Sequence, residues 1–192
     1  MSDLGFTVIA VALDESAEDV REYAEGITYP VLIDSDRVLT ELYAVSNVPT
    51  VVWVEADGSI ARPNAAEPGT DMFIDFTGHS AAPHMEAVRD WVRTGTVPDD
   101  SDVEVTDLDE TEIRARLAFR IALQHRRTGD TGAAEVWFQK AVELAPVDYT
   151  IRRAAMPLRG DDPFGSSYFE LLADWKAAGS PFHGLSRSRD SA

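Results

Sequence analysis

The stretch that decides the fold class is residues 28–60, TYPVLIDSDRVLTELYAVSNVPTVVWVEADGSI. It holds two apolar, β-branched runs, Tyr29–Ile33 and Val51–Val54, and between them a segment whose apolar residues repeat at helical spacing, Val38–Tyr43. A strand, a helix and a second strand in this order predict an α/β domain. The Asp-Gly pair at 57–58 predicts a β-hairpin with a type I′ turn, because that turn needs positive φ at both central residues.

The flanking sequence extends this pattern in both directions. Phe6–Leu13 is a nearly continuous apolar run, as expected of a strand buried on both faces. Ser16 is placed to cap a following helix. Residues 61–70 are rich in turn formers and predict a loop, and Pro83–Arg93 predicts an amphipathic helix that closes the domain.

The order of strand, helix, Val48-Pro49-Thr50, strand and Asp-Gly hairpin resembles the second half of a thioredoxin-like domain. The resemblance is to the redoxins, the group of peroxiredoxins and thiol-disulfide oxidoreductases, and it covers residues 6–93. It implies a cis Pro49 and a groove at Val48, Pro49 and Thr50 that receives an extended peptide or a thiol substrate. The first strand of that family and the helix carrying its Cys-x-x-Cys motif have no counterpart before Phe6.

The missing strand has a structural consequence. In the family it lies at the centre of the sheet, between the counterparts of Phe6–Leu13 and Thr50–Val54. Its loss leaves two apolar strands with unpaired backbone groups. Three arrangements would repair this: the strands pair with each other, a partner chain supplies a strand, or the natural polypeptide begins further upstream. The last is favoured because the pattern from residue 6 to 93 is otherwise intact.

The chain contains no cysteine, which rules out thiol chemistry and disulfides within it. We predict no catalytic residue, no metal site and no cofactor. The four histidines, at positions 79, 84, 125 and 183, are scattered, and no nucleophile elbow or phosphate-binding loop is present. Two carboxylate pairs, Asp14/Glu15 and Asp34/Asp36, follow predicted strands, but with 34 acidic residues in the chain chance explains their position best.

The second half of the chain is predicted to be helical. The predicted organisation is a thioredoxin-like domain over residues 1–95, an acidic linker over 96–109, a helical region over 110–179 and a tail over 180–192. Residues 110–146 resemble one tetratricopeptide repeat, a helix pair in which small residues allow close approach. The residues expected to pack in this pair are Ala118, Ile121, Ala122, Ala134, Phe138, Ala141 and Pro146. Two further helices are predicted, at 149–156, ended by Pro157, and at 166–178.

Charge and hydropathy limit the classes of partner. The formal net charge of −17 disfavours nucleic acid and anionic membranes, which require a basic surface. No apolar run is long enough to cross a bilayer, and the first residues lack the features of a secretory signal. We therefore expect a cytoplasmic protein with a protein or peptide partner, and a homodimer or a partner-supplied strand is possible.

Two functions follow from the sequence. The first is a redox-inert thioredoxin-like and helical-repeat protein that binds a protein or peptide. The alternative is an N-terminally incomplete redoxin, an oxidoreductase or peroxidase whose catalytic cysteines lie outside this chain.

Overall fold

The computed structural model describes residues 4–14, 16–35, 37–66, 69–103, 105, 107–162 and 164–188. Its element order is mixed α/β: β1 (Ala10–Ala12), α1 (Ala17–Ala24), β2 (Val31–Ile33), α2 (Val38–Leu42), β3 (Val51–Val54), β4 (Ile60–Ala65), α3 (Ile74–Thr77), α4 (Ala82–Thr94), α5 (Glu110–Arg127), α6 (Thr131–Leu144), α7 (Tyr149–Arg159) and α8 (Ser166–Ala177). Short 3₁₀ helices occupy Asp71–Phe73 and Asp99–Ser101. The described residues form two compact units: the sheet unit (4–43 apart from 15 and 36, 48–103 apart from 67 and 68, and 186–188) and the helical unit (44–47, 105 and 107–185 apart from 163).

Two separate two-stranded sheets make up the β structure of the sheet unit. Strands β1 and β2 pair in parallel, with Ala10 opposite Val31, and β3 and β4 pair antiparallel, with irregular register around Trp53. The predicted run from Phe6 to Leu13 thus forms a strand over only three residues. In the described part of the chain β1 and β3 do not pair with each other, so the first of the three repairs is not observed.

The Asp-Gly hairpin is present, but its turn is not the predicted type I′. Of the two central residues only Gly58 has a positive φ, at 90°. The amide of Gly58 donates to the carbonyl of Glu55 (3.0 Å), and the amide of Glu55 donates to the carbonyl of Ser59 (2.9 Å). This is a longer hairpin loop ending in a left-handed glycine. The Asp57 carboxylate accepts a hydrogen bond from the Ser59 amide (2.9 Å), and this bond lowers the pKa of Asp57.

Strand β4 corrects the prediction of a loop over residues 61–70. Residues 61–65 pair with β3 despite Pro63. A proline can occupy a strand at the edge of a sheet, because its missing N–H is not needed on the open side. Arg62 in the same strand is buried and pairs with Asp100 (3.1 Å).

The helix ends of both units follow their capping residues. Ser16 caps α1 as predicted, accepting a hydrogen bond from the Asp19 amide (3.4 Å). Helix α5 begins with a capping box formed by Asp109 and Glu112, in which each side chain accepts a hydrogen bond from the other residue's amide. Helix α7 continues past Pro157, where the sequence predicts its end, and stops before Gly160.

The core of the helical unit lies between α5, α6 and α7. Its buried residues are mostly alanines, and the two largest rings, Phe119 and Phe138, pack edge to face at 5.6 Å between centroids. Small side chains on facing helices allow the backbones to approach closely, so large rings are needed at only a few positions. The cluster consists of Ala115, Ala118, Phe119, Ala122, Leu123, Ala134, Phe138, Ala141, Ala145, Ile151 and Ala155.

The predicted linker and tail are partly built into these units. Val97 packs against a buried cluster of the sheet unit formed by Trp53, Ala61 and Val88, and Ser101 is fully buried. In the predicted tail, the carbonyl of Pro181 accepts a hydrogen bond from Trp175 Nε1 (2.9 Å). The amide of Ser188 donates to the carbonyl of Ile60 (2.9 Å). Residues 104, 106 and 189–192 of the predicted linker and tail lie outside the described residues.

Candidate functional site

In the sheet unit, strand β1 has one open edge. The amide of Ala10 donates to the carbonyl of Pro30 (2.9 Å), and the carbonyl of Ala12 accepts from the amide of Asp34 (2.8 Å). Successive residues of a strand direct their backbone groups to opposite sides, so the N–H and C=O of Val11 are directed away from β2. Among the described residues no strand pairs with that side of β1.

Apolar side chains beside this edge are exposed to solvent. Val8 is 43% exposed and Ile9 is 57% exposed, and both belong to the run that has the composition of a buried central strand. Leu32 in β2, which pairs with Val11 of β1, is half exposed. Buried apolar runs of this type normally have a neighbouring strand and covering layers. The chain therefore presents the composition of a central strand in the setting of an edge strand.

The predicted groove residues lie directly before β3. The Val48–Pro49 peptide bond is cis, which confirms that prediction. Val48 and Pro49 are exposed, and Thr50 is half-buried. This segment is therefore accessible for contact with an extended chain, although the cysteine that would face it in a redoxin is absent from the sequence.

An aromatic cluster holds the β3–β4 hairpin against α4. The rings of Trp53 and Trp91 stack with centroids 5.0 Å apart, and the Arg62 guanidinium lies 5.2 Å from the Trp53 ring centroid. Trp91 Nε1 donates to the carboxylate of Glu55 (2.8 Å). The sequence gives the apolar spacing of α4 but not the inward orientation of Arg62, because charged residues on strands are usually exposed.

No family model, curated protein or solved structure matches this chain.

Asp34, which follows β2, stabilises the local structure. Both carboxylate oxygens of Asp34 accept hydrogen bonds at the start of α2, from the amides of Val38 (2.7 Å) and Thr40 (2.9 Å). Glu15 and Asp36 lie outside the described residues. Asp34 is thus a capping residue, which uses its acceptor capacity on backbone amides.

The histidines are separate from one another in their contacts. His84 lies near the Arg62 guanidinium and the Trp53 ring, whereas His125 lies 3.7 Å from Asp130. The described residues contain no group of three or more histidine, aspartate or glutamate side chains that could bind a metal ion. In the same part of the chain, no helix combines the length and the apolarity required to cross a bilayer.

The predicted packing residues of the helical unit divide into two groups. Five are buried in the core cluster: Ala118, Ala122, Ala134, Phe138 and Ala141. The other two differ from the prediction. Ile121 is 37% exposed, because it lies on the outer face of α5. Pro146 is exposed in the turn after α6, where its carbonyl accepts a hydrogen bond from Arg152 (2.9 Å).

A polar cluster that the sequence does not reveal surrounds Asp148. Asp148 is buried, pairs with Arg116 (3.2 Å) and accepts two hydrogen bonds from Thr150, from its amide (2.8 Å) and its hydroxyl (2.6 Å). Arg116 also donates to the carbonyl of His183 (3.1 Å). These bonds cap α7 and attach the segment after α8 to α5, so the cluster has a structural role.

Proposed function

We propose that this chain is a redox-inert, thioredoxin-like and tetratricopeptide-like protein that acts by binding a protein or peptide partner. The sheet unit would take up an extended segment of the partner as an added strand at the open edge of β1. The observation that carries the proposal is the pairing of β1, which uses only one of its two edges although its sequence is that of a central strand. A cytoplasmic location stays part of the proposal.

The open edge defines the chemistry of the partner segment. Val11 offers a backbone donor and acceptor, which an extended main chain can satisfy whatever its side chains. The exposed side chains of Val8, Ile9 and Leu32 favour apolar, β-branched residues in the partner. A net charge of −17 favours basic residues on either side of the apolar segment, because opposite charge accelerates and selects the encounter. The expected partner is therefore a short apolar strand with basic flanks.

The direct experiment measures binding of a fluorescent synthetic peptide with a Val/Ile centre and arginine flanks by fluorescence anisotropy. Its matched control is the same peptide with alternate backbone nitrogens methylated, which removes donors and leaves the side chains. We expect the unmodified peptide to bind and the methylated peptide to bind at least about tenfold more weakly, because several inter-strand hydrogen bonds are lost.

Two proline variants locate the binding edge. Val11→Pro removes an N–H from the open edge of β1, whereas Ile33→Pro removes one from the outer edge of β2. Neither N–H belongs to the β1–β2 ladder, so neither variant removes a hydrogen bond between these strands. We expect Val11→Pro to weaken binding about tenfold and Ile33→Pro to leave it nearly unchanged. Equal binding of the two peptides, or a larger loss with Ile33→Pro, would refute the proposal.

A second candidate follows from the order of strand pairs. A parallel pair, β1–β2, and an antiparallel hairpin, β3–β4, are what a redoxin sheet would retain without its central strand. In that case the natural occupant is a polypeptide segment that carries the catalytic cysteines. A peptide with an apolar strand followed by Trp-Cys-x-x-Cys would then reduce insulin faster when mixed with this chain than alone. Binding without such acceleration supports the first proposal, and the chain by itself should reduce no insulin because it lacks a thiol.

A further inference from the structure

The most buried charge of the helical unit after Asp148 is the guanidinium of Arg153 in α7. Arg153 is 6% exposed, and its Nη2 donates a hydrogen bond to Oδ1 of Asn47 (3.3 Å). Its Nε atom is buried and has no hydrogen-bond partner among the described residues. A buried cation without an anion is unfavourable, because the loss of hydration is not compensated.

Three other arginines of the helical unit are partly buried and pair with carboxylates. Arg116 pairs with Asp148, Arg152 with Asp174 (2.9 Å), and Arg159 with Glu135. The chain has 34 acidic residues against 17 basic ones, so carboxylates are abundant. In contrast, no carboxylate in the described part of the chain pairs with Arg153.

Aromatic side chains surround the Arg153 guanidinium. It lies 5.1 Å from the centroid of Tyr168 and 5.8 Å from that of Phe164. The hydroxyl of Tyr149 is buried and has no hydrogen-bond partner among the described residues. The side chain of Tyr168 is near enough to contribute to a raised pKa of Tyr149. Burial raises the pKa of Tyr149 to about 12, so its hydroxyl stays protonated and can donate. Tyr149 in turn packs against Trp175, with ring centroids 5.1 Å apart.

We infer that Arg153 and Tyr149 form a binding site for the carboxylate of an aromatic acid. The free N–H of Arg153 and the hydroxyl of Tyr149 would donate to the carboxylate, and Phe164 and Tyr168 would contact the apolar part of the ligand. A single positive charge with neutral hydroxyls matches a monoanion better than a phosphate, which carries more than one negative charge at neutral pH. The ring of Phe164 is mostly exposed, so movement of one surface side chain would open the site. This inference does not depend on the proposed function of the sheet unit.

The test is isothermal titration calorimetry of the whole chain with benzoate, using benzamide as the neutral isostere and acetate as the acid without a ring. We expect benzoate to bind, acetate to bind more weakly, and benzamide to bind at least about tenfold more weakly than benzoate, because only a carboxylate satisfies the guanidinium. Equal binding of benzoate and benzamide, or no binding of benzoate, would overturn the inference.

Three variants assign the binding to these side chains. Arg153→Gln should weaken benzoate binding at least about tenfold, and Tyr149→Phe, which keeps the ring, should weaken it about three- to tenfold. The matched control is Arg152→Gln, which removes the neighbouring arginine and should leave binding unchanged. If Arg153→Gln does not fold, Tyr149→Phe decides. Unchanged binding by Tyr149→Phe, or an equal loss with Arg152→Gln, would show that these residues do not form the site.

Discussion

Replacement of Phe138 by alanine tests the packing of the helical unit. Phe138 is 2% exposed, and its ring contacts Phe119 edge to face and lies among the alanines of the core cluster. Removing a buried phenylalanine ring costs the transfer free energy of the lost atoms plus the cost of the cavity, together about 3–5 kcal/mol. The alanines around it are too small to fill the space by changing rotamer, so the upper part of that range applies.

The same substitution at an exposed position provides the control. Phe169 in α8 is 55% exposed and belongs to the same unit, so Phe169→Ala should lower the free energy of unfolding by no more than about 0.5–1 kcal/mol. The assay is urea unfolding of the whole chain followed by helical circular dichroism. We compare the urea midpoints and also the slopes, since a change in slope would indicate loss of two-state behaviour.

The pair Phe119 and Phe138 allows a finer test. A double-mutant cycle with leucine at each position should give a coupling free energy of about 0.5–1.5 kcal/mol, as expected for aromatic rings in edge-to-face contact. A loss below about 1 kcal/mol for Phe138→Ala, or similar losses for Phe138→Ala and Phe169→Ala, would contradict the packing described for this unit.

Three further predictions concern local features of the fold. Gly95→Ala should lower the free energy of unfolding by about 1–2 kcal/mol, because Gly95 follows α4 with a φ of 75°, which disfavours a side chain. Gly132→Ala should raise the free energy of unfolding by up to about 1 kcal/mol, because Gly132 lies in α6 with room for a methyl group. Urea midpoints that shift in opposite directions for the two variants would confirm both expectations. Asp148→Asn should lower the free energy of unfolding by about 1–3 kcal/mol, because Arg116 loses its charged partner while an oxygen remains to cap α7. An unchanged urea midpoint for this variant would contradict the expectation. A hydrogen bond from Arg159 lowers the pKa of Glu135 below its ordinary value of 4.5. The ion pair therefore stabilises the fold above pH 4.5, and this stabilisation is lost as the pH falls through the lowered pKa. Glu135→Gln should remove this part of the pH dependence of unfolding, by less than about 1 kcal/mol because the carboxylate is half exposed, and an unchanged pH profile would exclude the contribution.

The sequence determined most of the helices of this protein. Apolar periodicity and capping residues located the helices, including the start of α1 at Ser16, because these signals depend on neighbours within a few residues. The cis bond before Pro49 and the Asp-Gly hairpin were also predicted. The sequence alone also shows that the chain carries no thiol.

Only the tertiary structure decided which residues are buried together and which are left open. The periodicity of α5 places both Ala118 and Ile121 near its apolar side, but only the packing of α6 shows that Ile121 is on the outer face. Arg153 is one charged residue among many in the sequence, and its burial without a carboxylate depends on side chains from α8. The open edge of β1 is likewise a property of strand pairing, since a strand's sequence specifies its apolar faces and not the neighbour that takes up its hydrogen bonds.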